Sequence, residues 1–383
     1  YQRAVLNFAI PSGLLQGAYN EGKVLDLYAD FPAEFIVKRD PQGNWCKWNT
    51  DHYDPLITGL KGTVWCMEEG PDGKIYAGGN FTDAAYPYLA RWNPVTEAWE
   101  AVVSGINGYV KSVAFDANGD LYIGGVFTNL GSTDGDCIVK ITDLSGTPTV
   151  NALGTGTNGV VWSIAIAPNG DVYAGGNFSL AGGVANTLRI AKWDGTAWSP
   201  LSTGLNDTVY SLAFAPNGDL YIGGVFTNAD GANGDYLCYW NGTAFVRIGT
   251  VELNSYLFQI AFGATGHLYV GGNFTNAGGI ANADYIAKWT GSAWESLGTG
   301  TNGKVYRIFV NSGKVYASGD FTTAGGLTLT DRVAVWSNGA WQPLDIDLPG
   351  TASVFSILPA SDGSLYIGGA FSTAGETPDE NAK

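Results

Sequence analysis

The sequence predicts an all-β protein, a seven-bladed β-propeller built from four-stranded antiparallel blades. The main observation is a motif, Tyr-x-(Gly/Ser)-Gly-x-Phe, which recurs seven times along the 383 residues. Its tyrosines are Tyr76, Tyr122, Tyr173, Tyr221, Tyr269, Tyr316 and Tyr366. They are separated by 46, 51, 48, 48, 47 and 50 residues. A repeat in this range is typical of propeller blades.

Each repeat contains four strand-like segments, which we call strands A to D. In residues 160–200 they are predicted at Val161–Ile166, Val172–Phe178, Arg189–Trp193 and Ala197–Leu201. An Asn-Gly pair separates strands A and B, and an Asp-Gly pair separates strands C and D. Both pairs are strong hairpin signals. Four short antiparallel strands per repeat indicate a propeller blade.

The two ends of the chain predict how the ring closes. The seventh repeat supplies only strands A and B, between Ser353 and Phe371. Residues 34–58 resemble strands C and D of a repeat. We therefore expect the last blade to be closed by both termini, with two strands from each, which leaves no open sheet edge. The domains predicted are an N-terminal arm at 1–33, the propeller at 34–376 and a tail at 377–383.

The side-chain pattern fits blades that are covered on both faces. In strand A the large residues Trp162, Ile164 and Ile166 alternate with smaller ones, which predicts one bulky and one small face. The paired glycines of strand B remove side chains. We expect them to let neighbouring blades approach closely near the axis.

Composition excludes several classes of function. The net charge is −16 and only 14% of residues are charged, which argues against nucleic-acid binding and a polybasic membrane surface. The sequence has no apolar run of 18 residues, so no membrane-spanning helix is predicted. Residues 1–20 do not resemble a signal peptide, and the first residue, Tyr1, suggests a processed product or part of a longer chain.

The four cysteines lack metal-binding spacing. Cys46, Cys66, Cys137 and Cys238 form no Cys-x-x-Cys pair, and each lies in a predicted strand. Free buried thiols are predicted, with one disulfide as the alternative.

The repeat resembles a known family. The pattern Tyr-Val-Gly-Gly-x-Phe followed by Ile-Ala-Lys-Trp-x-Gly-x-Ala-Trp, as in Tyr269–Gly300, resembles kelch-like propeller repeats of large bacterial surface proteins. It is similar also to fungal cortical cell-polarity marker proteins. The resemblance covers residues 34–376 and implies a non-catalytic propeller that is extracellular or displayed on a surface. With its additional arm, the chain also resembles domains displayed on phage tails or capsids.

Little in the sequence indicates catalysis. The chain has only two histidines, His52 and His267, at unrelated positions of the repeat, so a histidine metal site or a Ser-His-Asp triad is not expected. The 35 acidic residues could supply a carboxylate pair by chance. A carbohydrate-active enzyme of glycosidase or lyase type, using loop carboxylates, is therefore the alternative function.

Aspartates in the loops between strands B and C are candidate metal ligands. They are Asp134, Asp136, Asp230, Asp235 and Asp284. Carboxylate oxygens suit Ca²⁺, so calcium is the one possible cofactor; otherwise none is predicted. The alternative is that these residues form solvated turns.

An aromatic residue begins strand A in six of the seven repeats. The six are Trp65, Trp162, Tyr210, Phe258, Tyr306 and Phe355, with Lys111 as the exception. One interpretation is packing between blades. The other is an aromatic mouth of the axial channel, suited to a sugar or a peptide.

These observations favour a recognition or display propeller on a cell or virion surface. It would bind glycan or protein through the face that carries the variable B–C and D–A loops. Residues 1–33 contain many apolar residues, whose exposure would cost several kcal/mol at roughly 25 cal/mol per Å². They are predicted to dock onto a protein partner, with folding back as a plug or a fifth strand as the alternative.

Overall fold

The computed structural model describes residue 60, residues 62–227, 229, 234–250, 253–328, 330–344, 348 and 352–370. It also describes the backbone of three N-terminal strands, β1 (Phe35–Arg39), β2 (Trp45–Asn49) and β3 (His52–Asp54). The arm predicted at 1–33 and the tail predicted at 377–383 lie outside the described residues.

Six four-stranded antiparallel sheets follow in chain order. In each of them strand A is innermost, because the strands A of successive blades contact one another. Blade 1 contains β4 (Val64–Glu69), β5 (Ile75–Gly79), β6 (Leu89–Asn93) and β7 (Ala98–Ala101), and blade 2 contains β8 (Val110–Phe115), β9 (Leu121–Gly125), β10 (Ile138–Thr142) and β11 (Thr149–Ala152). Blade 3 contains β12 (Val160–Ile166), β13 (Val172–Asn177), β14 (Ile190–Trp193) and β15 (Trp198–Pro200), and blade 4 contains β16 (Val209–Phe214), β17 (Leu220–Gly224), β18 (Leu237–Trp240) and β19 (Phe245–Arg247). Blade 5 contains β20 (Leu257–Phe262), β21 (Leu268–Gly272), β22 (Ile286–Trp289) and β23 (Trp294–Ser296), and blade 6 contains β24 (Val305–Asn311), β25 (Lys314–Gly319), β26 (Val333–Ser337) and β27 (Ala340–Pro343). A hairpin of β28 (Ser353–Pro359) and β29 (Ser364–Ala370) follows, and a short 3₁₀ turn at Ala277–Gly279 lies in the B–C loop of blade 5.

The predicted four-stranded antiparallel blade is confirmed, and its strands in blade 3 begin and end within one residue of the predicted bounds. The A–B turn forms where the Asn-Gly pair predicts it. Gly170 has a φ of +90° and donates a backbone hydrogen bond to the Ala167 carbonyl. A residue with a side chain is disfavoured at such a φ, which explains the glycine.

The prediction of seven blades, the last closed by two strands from each terminus, is wrong. The described residues form six four-stranded antiparallel blades, and none of these six is closed by the termini. The hairpin β28–β29 instead meets β1 in parallel, with Phe35 opposite Ser364, in a mixed five-stranded sheet with β2 and β3. In blades 1 to 6 the B–C loop forces strand C to run antiparallel to strand B. No such loop connects β29 to β1, so the chain does not impose that direction.

The core lies between adjacent sheets. One apolar cluster joins Ile138 of blade 2 to Val161 and Val172 of blade 3, and similar clusters join the other neighbours. The hairpin β28–β29 packs between blade 6 and blade 1, where Val354 and Ile357 share a cluster with Val64. The motif phenylalanine is fully buried in all six blades, as Phe81, Phe127, Phe178, Phe226, Phe274 and Phe321. The repeating motif is therefore largely a packing signal.

Every innermost strand contains a β-bulge opposite the paired small residues of the motif. In β12, Val161 pairs with Gly176 and Ser163 pairs with Gly175, which leaves Trp162 as the extra residue. The same shift occurs in the other blades and in the hairpin. The extra residues are Trp65, Lys111, Trp162, Tyr210, Phe258, Tyr306 and Phe355. Because a bulge re-aims its extra side chain, these residues leave the regular sheet face.

The bulge also explains the second glycine of each pair. A Cβ at Gly125 would lie 1.9 Å from the Tyr109 carbonyl oxygen, a backbone atom that precedes the bulge. The first glycine serves blade packing, since a Cβ at Gly124 would lie 2.7 Å from Val161 of the next blade. The expectation that these glycines allow close approach of blades is confirmed for the first position.

The predicted alternation of strand A is wrong. Val161, Ile164 and Ala165 are buried, whereas Trp162 and Ile166 are only half-buried. Val161 and Ile164 both pack against Gly124 of the preceding blade, so they share one face. The extra residue at the bulge shifts the period of two.

The described cysteines Cys66, Cys137 and Cys238 are free and buried, which confirms the prediction for these three. The side chain of Cys46 lies outside the described residues. No helix in the described ranges is both long and apolar enough to cross a membrane.

Candidate functional site

The six aromatic residues singled out in the sequence come together at the start of the innermost strands. We call Trp65, Trp162, Tyr210, Phe258, Tyr306 and Phe355 the aromatic arc. Ring centroids are 5.4 Å apart for Trp162 and Tyr210, 5.7 Å for Tyr210 and Phe258, and 5.0 Å for both Phe258–Tyr306 and Tyr306–Phe355. All six side chains are half-buried. From Trp162 to Phe355 the rings therefore form a continuous aromatic surface at the face where the D–A loops enter the innermost strands, and Trp65 lies beyond Lys111.

Lys111 fills the place between Trp65 and Trp162. Its Nζ lies over the ring of Trp65 and 4.5 Å from the ring centroid of Trp162. An ammonium over the face of a tryptophan is attracted by the negative potential of the ring. Burial opposes this attraction and lowers the pKa of Lys111 to about 7. Below about pH 7 a cation is thus held beside the aromatic arc.

A cavity of about 240 Å³ lies on the axis of the propeller beside the arc, and we call it the axial cavity. Among its lining residues are Cys66, Glu68, Lys111, Gln259 and Arg307. Arg307 Nη1 donates a hydrogen bond of 3.1 Å to Gln259 Oε1. The Arg307 Nε is buried and has no hydrogen-bond partner among the described residues. The interior of the propeller therefore carries charged side chains.

Burial and the nearby cations perturb the acidic groups of the axial cavity. Burial raises the pKa of Glu68, and the positive charge of Arg307 partly opposes this shift. Burial likewise raises the pKa of the Cys66 thiol to about 12, again opposed by Arg307. The thiol is therefore neutral at ordinary pH, and the charge of Glu68 is disfavoured.

The loops around the arc are braced by a repeated asparagine. In blade 3, Asn158 accepts hydrogen bonds through Oδ1 from the backbone N–H groups of Ser179 and Leu180. Equivalent bonds connect Asn107, Asn206, Asn254 and Asn302 of the D–A loops to the B–C loops. This bracing links the two loop sets in blades 2 to 6, so this part of the face is held in a preformed arrangement.

The candidate calcium ligands are not brought together where the structure describes them. Asp136 Oδ1 accepts a hydrogen bond of 2.8 Å from Asn129 N, and Asp284 Oδ1 accepts one of 2.7 Å from Asn276 N. Both carboxylates thereby close their own B–C loops. Asp134 is exposed and Asp235 is half-buried in different blades, and Asp230 lies outside the described residues. In the described part of the chain, no group of three His, Cys, Asp or Glu side chains is placed to hold a metal ion.

The sequence analysis missed Glu68, Gln259 and Arg307, which line the axial cavity beside Lys111. A signal for them exists in the sequence. The residue immediately after the bulge residue is serine in four of the seven innermost strands. The residue three positions after the bulge residue is alanine in four of them. These three residues depart from that pattern.

Comparison with known proteins supports the fold. A family model described as domain of unknown function (DUF5122) beta-propeller matches residues 70–95, which run from the A–B turn of blade 1 through its strand C. No curated protein matches the chain. The resemblance to kelch-like repeats, fungal polarity markers and phage display domains is not confirmed by these findings.

Several solved structures share the architecture. A streptogramin B lyase structure is 15% identical with a TM-score of 0.56, and the match covers 83% of this chain and 94% of that one. A virginiamycin B lyase from Staphylococcus aureus is 14% identical with a TM-score of 0.53, covering 82% and 94%. A structure of YCF48 bound to D1 peptide is 15% identical with a TM-score of 0.52, covering 90% and 95%. At such identities the likeness concerns the fold alone, and it agrees with the observed sheets that the chain is a β-propeller.

Proposed function

We propose that this propeller is a non-enzymatic recognition domain that binds a protein or glycan at the face carrying the aromatic arc. The observation that carries the proposal is the β-bulge in every innermost strand, whose extra residue is aromatic in six of seven cases. These side chains are half-buried and belong to none of the apolar clusters that join the blades. Aromatic residues gathered at a preformed opening are typical of ligand sites.

The structural neighbours are compatible with this proposal. One of them is a propeller described as bound to a peptide, and another is the WD40 propeller domain of Doa1. The lyases among the neighbours leave an enzymatic function as the competing possibility. Of the two histidines, His267 is half-buried and its Nδ1 lies 3.1 Å from Thr265 Oγ1 in a turn, while the side chain of His52 lies outside the described residues. A surface location stays a prediction from the family resemblance.

The test is a binding screen with a matched pair of variants in one blade. The wild-type chain is screened against a glycan array and a random peptide library, and the best binder is titrated against Tyr210→Ala and Tyr239→Ala. Tyr210 belongs to the arc, whereas Tyr239 stacks on Tyr221 in an outer strand. We expect Tyr210→Ala to weaken binding by about tenfold, as for loss of one aromatic contact. Equal affinity of the two variants, or release of products from a polysaccharide, would contradict the proposal.

A further inference from the structure

The innermost strands can be compared position by position, because each contains the same bulge. Immediately after the bulge residue, the chain has serine at Ser112, Ser163, Ser211 and Ser356 and a different residue at Cys66, Gln259 and Arg307. Three positions after the bulge residue, it has alanine at Ala114, Ala165, Ala213 and Ala261 and a different residue at Glu68, Phe309 and Leu358. The only charged residues at these two positions, Glu68 and Arg307, are among those that differ from the common serine and alanine.

Serine at the position after the bulge residue is sufficient to join neighbouring blades. Ser112 Oγ accepts a hydrogen bond of 3.1 Å from Ile164 N of the next blade, and Ser163 Oγ accepts one of 3.0 Å from Leu212 N. Blades therefore join through a small hydroxyl at this position. An arginine there is not required by blade packing, and burying its charge is costly. The reason for Arg307 has to be sought in the cavity that it lines.

Glu68 and Arg307 both line the axial cavity together with Lys111, so its lining contains two basic side chains and one acidic side chain. Lys111 and Arg307 supply two cations against the single carboxyl group of Glu68, whose ionised form is disfavoured by burial. Gln259 orients the guanidinium through its Oε1, and the buried Arg307 Nε has no partner among the described residues. An anion with oxygen acceptors would satisfy this donor. Carboxylates pair with arginine in such geometry.

The size and shape of the site limit what can carry this anion. At about 240 Å³, the cavity is smaller than the roughly 300–1,000 Å³ of sites that enclose a whole small molecule. It admits one end of a longer ligand. Two neighbouring ring pairs of the arc meet edge to face, at 83° for Trp162 and Tyr210 and 65° for Phe258 and Tyr306. The other two pairs are tilted, at 41° and 48°, so no neighbouring pair is parallel. Such rings form an apolar collar and do not offer the row of parallel faces on which sugars would stack.

We infer that the axial cavity binds the C-terminal carboxylate of a peptide or protein partner, with Arg307 and Lys111 as its counter-ions and the aromatic arc around the preceding residues. The inference rests on the proposed recognition function and specifies its ligand. The net charge of −16 agrees with a ligand that presents a single carboxylate, because a polyanionic chain would be repelled from the rest of the surface.

The experiment uses two pools of N-acetylated random octapeptides that differ only at the C-terminus, one with free carboxylates and one with amides. Each pool is passed over the immobilised 383-residue chain, and retained peptides are quantified by mass spectrometry. Acidic oligosaccharides ending in a uronic or sialic acid form a third arm. The variants are Arg307→Ser and Lys111→Tyr, which introduce residue types that other innermost strands carry at the same positions. Lys192→Gln, a cation of the outer strands, is the control.

We expect the wild type to retain carboxylates about 10- to 100-fold better than amides, the range for hydrogen bonds to a charged group. Arg307→Ser and Lys111→Tyr lose this preference, while Lys192→Gln keeps it; thermal unfolding confirms that each variant is folded. Equal retention of both pools, with loss of both in Tyr210→Ala, would overturn the inference and leave the recognition function standing. Retention of acidic oligosaccharides in place of peptides would overturn the choice of ligand. Retention of nothing in any arm would overturn both proposals.

Discussion

Replacing Lys111 by methionine should stabilise the protein. Lys111 is the one bulge residue that is not aromatic, and its ammonium is partly buried between Trp65 and Trp162. Methionine keeps the length and the apolar stem of the side chain and removes the charge. We expect the free energy of unfolding to rise by about 1–2 kcal/mol at pH 6.

The magnitude follows from the pKa of the lysine. Burial lowers it from the ordinary value of 10.5 to about 7. At 1.36 kcal/mol per pKa unit this difference corresponds to roughly 5 kcal/mol without screening. The side chain is partly exposed, and solvent screening reduces the cost considerably. Attraction by the two tryptophan rings, about 0.5–1 kcal/mol each, offsets a further part.

The direction of the pH dependence is fixed by the lowered pKa. Below about pH 7 the lysine is protonated in both the folded and the unfolded chain, and the cost of its burial is fully present. Between about 7 and 10.5 the unfolded chain binds more protons at this site, so the contribution of Lys111 to the stability of the wild type rises with pH. The advantage of Lys111→Met should therefore be largest at pH 6 and nearly absent at pH 10. Cys66, with its pKa raised to about 12, stays neutral in this window.

Urea unfolding followed by tryptophan fluorescence at pH 6, 8 and 10 measures these differences. Lys192→Met is the matched control. Lys192 forms an ion pair of 3.1 Å with Asp171, whose hydrogen bond raises the pKa of the lysine, so removing it should not stabilise the protein at any of these pH values. If Lys111→Met is destabilising, or if its gain is the same at pH 6 and pH 10, the reasoning about the buried charge is wrong.

Two further predictions concern the bulge and the contact between blades. Gly79→Ala should cost about 3 kcal/mol because its Cβ would lie 2.1 Å from a backbone carbonyl oxygen, whereas Gly73→Ala, with φ +71° and open space, should cost about 1–2 kcal/mol. Equal thermal midpoints would contradict the steric account. Ser211→Ala should cost about 1–3 kcal/mol because it removes the acceptor 3.1 Å from Ile260 N. Ser356→Ala should change stability by less than about 0.5 kcal/mol, since the buried Ser356 Oγ has no partner among the described residues; a similar loss in both serine variants would refute the role of the inter-blade bond.

The sequence was sufficient for the blade and for the position of the aromatic arc. The period aligns the innermost strands, so Trp162 and Tyr210 could be matched before any coordinates were known. The bulge could not be predicted from alternation, because Trp162, Ile164 and Ile166 follow a regular period of two in sequence. Only the pairing of Val161 and Ser163 with two successive glycines reveals the extra residue.

The prediction of the number of blades was wrong for a different reason. Residues Phe35–Trp45 resemble strand C of a repeat, and the prediction assumed that they would also run in its direction. In blade 5, Ile286 pairs antiparallel with Gly271 because the B–C loop returns the chain. Between β29 and β1 there is no loop, and Phe35 pairs in parallel with Ser364. Similarity of sequence predicts a strand, whereas its direction depends on the connection.

The axial cavity shows how an internal repeat can separate function from folding. Serine after the bulge joins blades through a hydrogen bond, as Ser211 does with Ile260, so the fold has a working solution at this position. Where the chain has Arg307 in place of serine, it buries a charged group whose Nε has no hydrogen-bond partner among the described residues, which is costly. Lys111 carries the same kind of cost within the aromatic arc. Two such departures that line the same cavity are better explained by a shared ligand than by the packing of either blade.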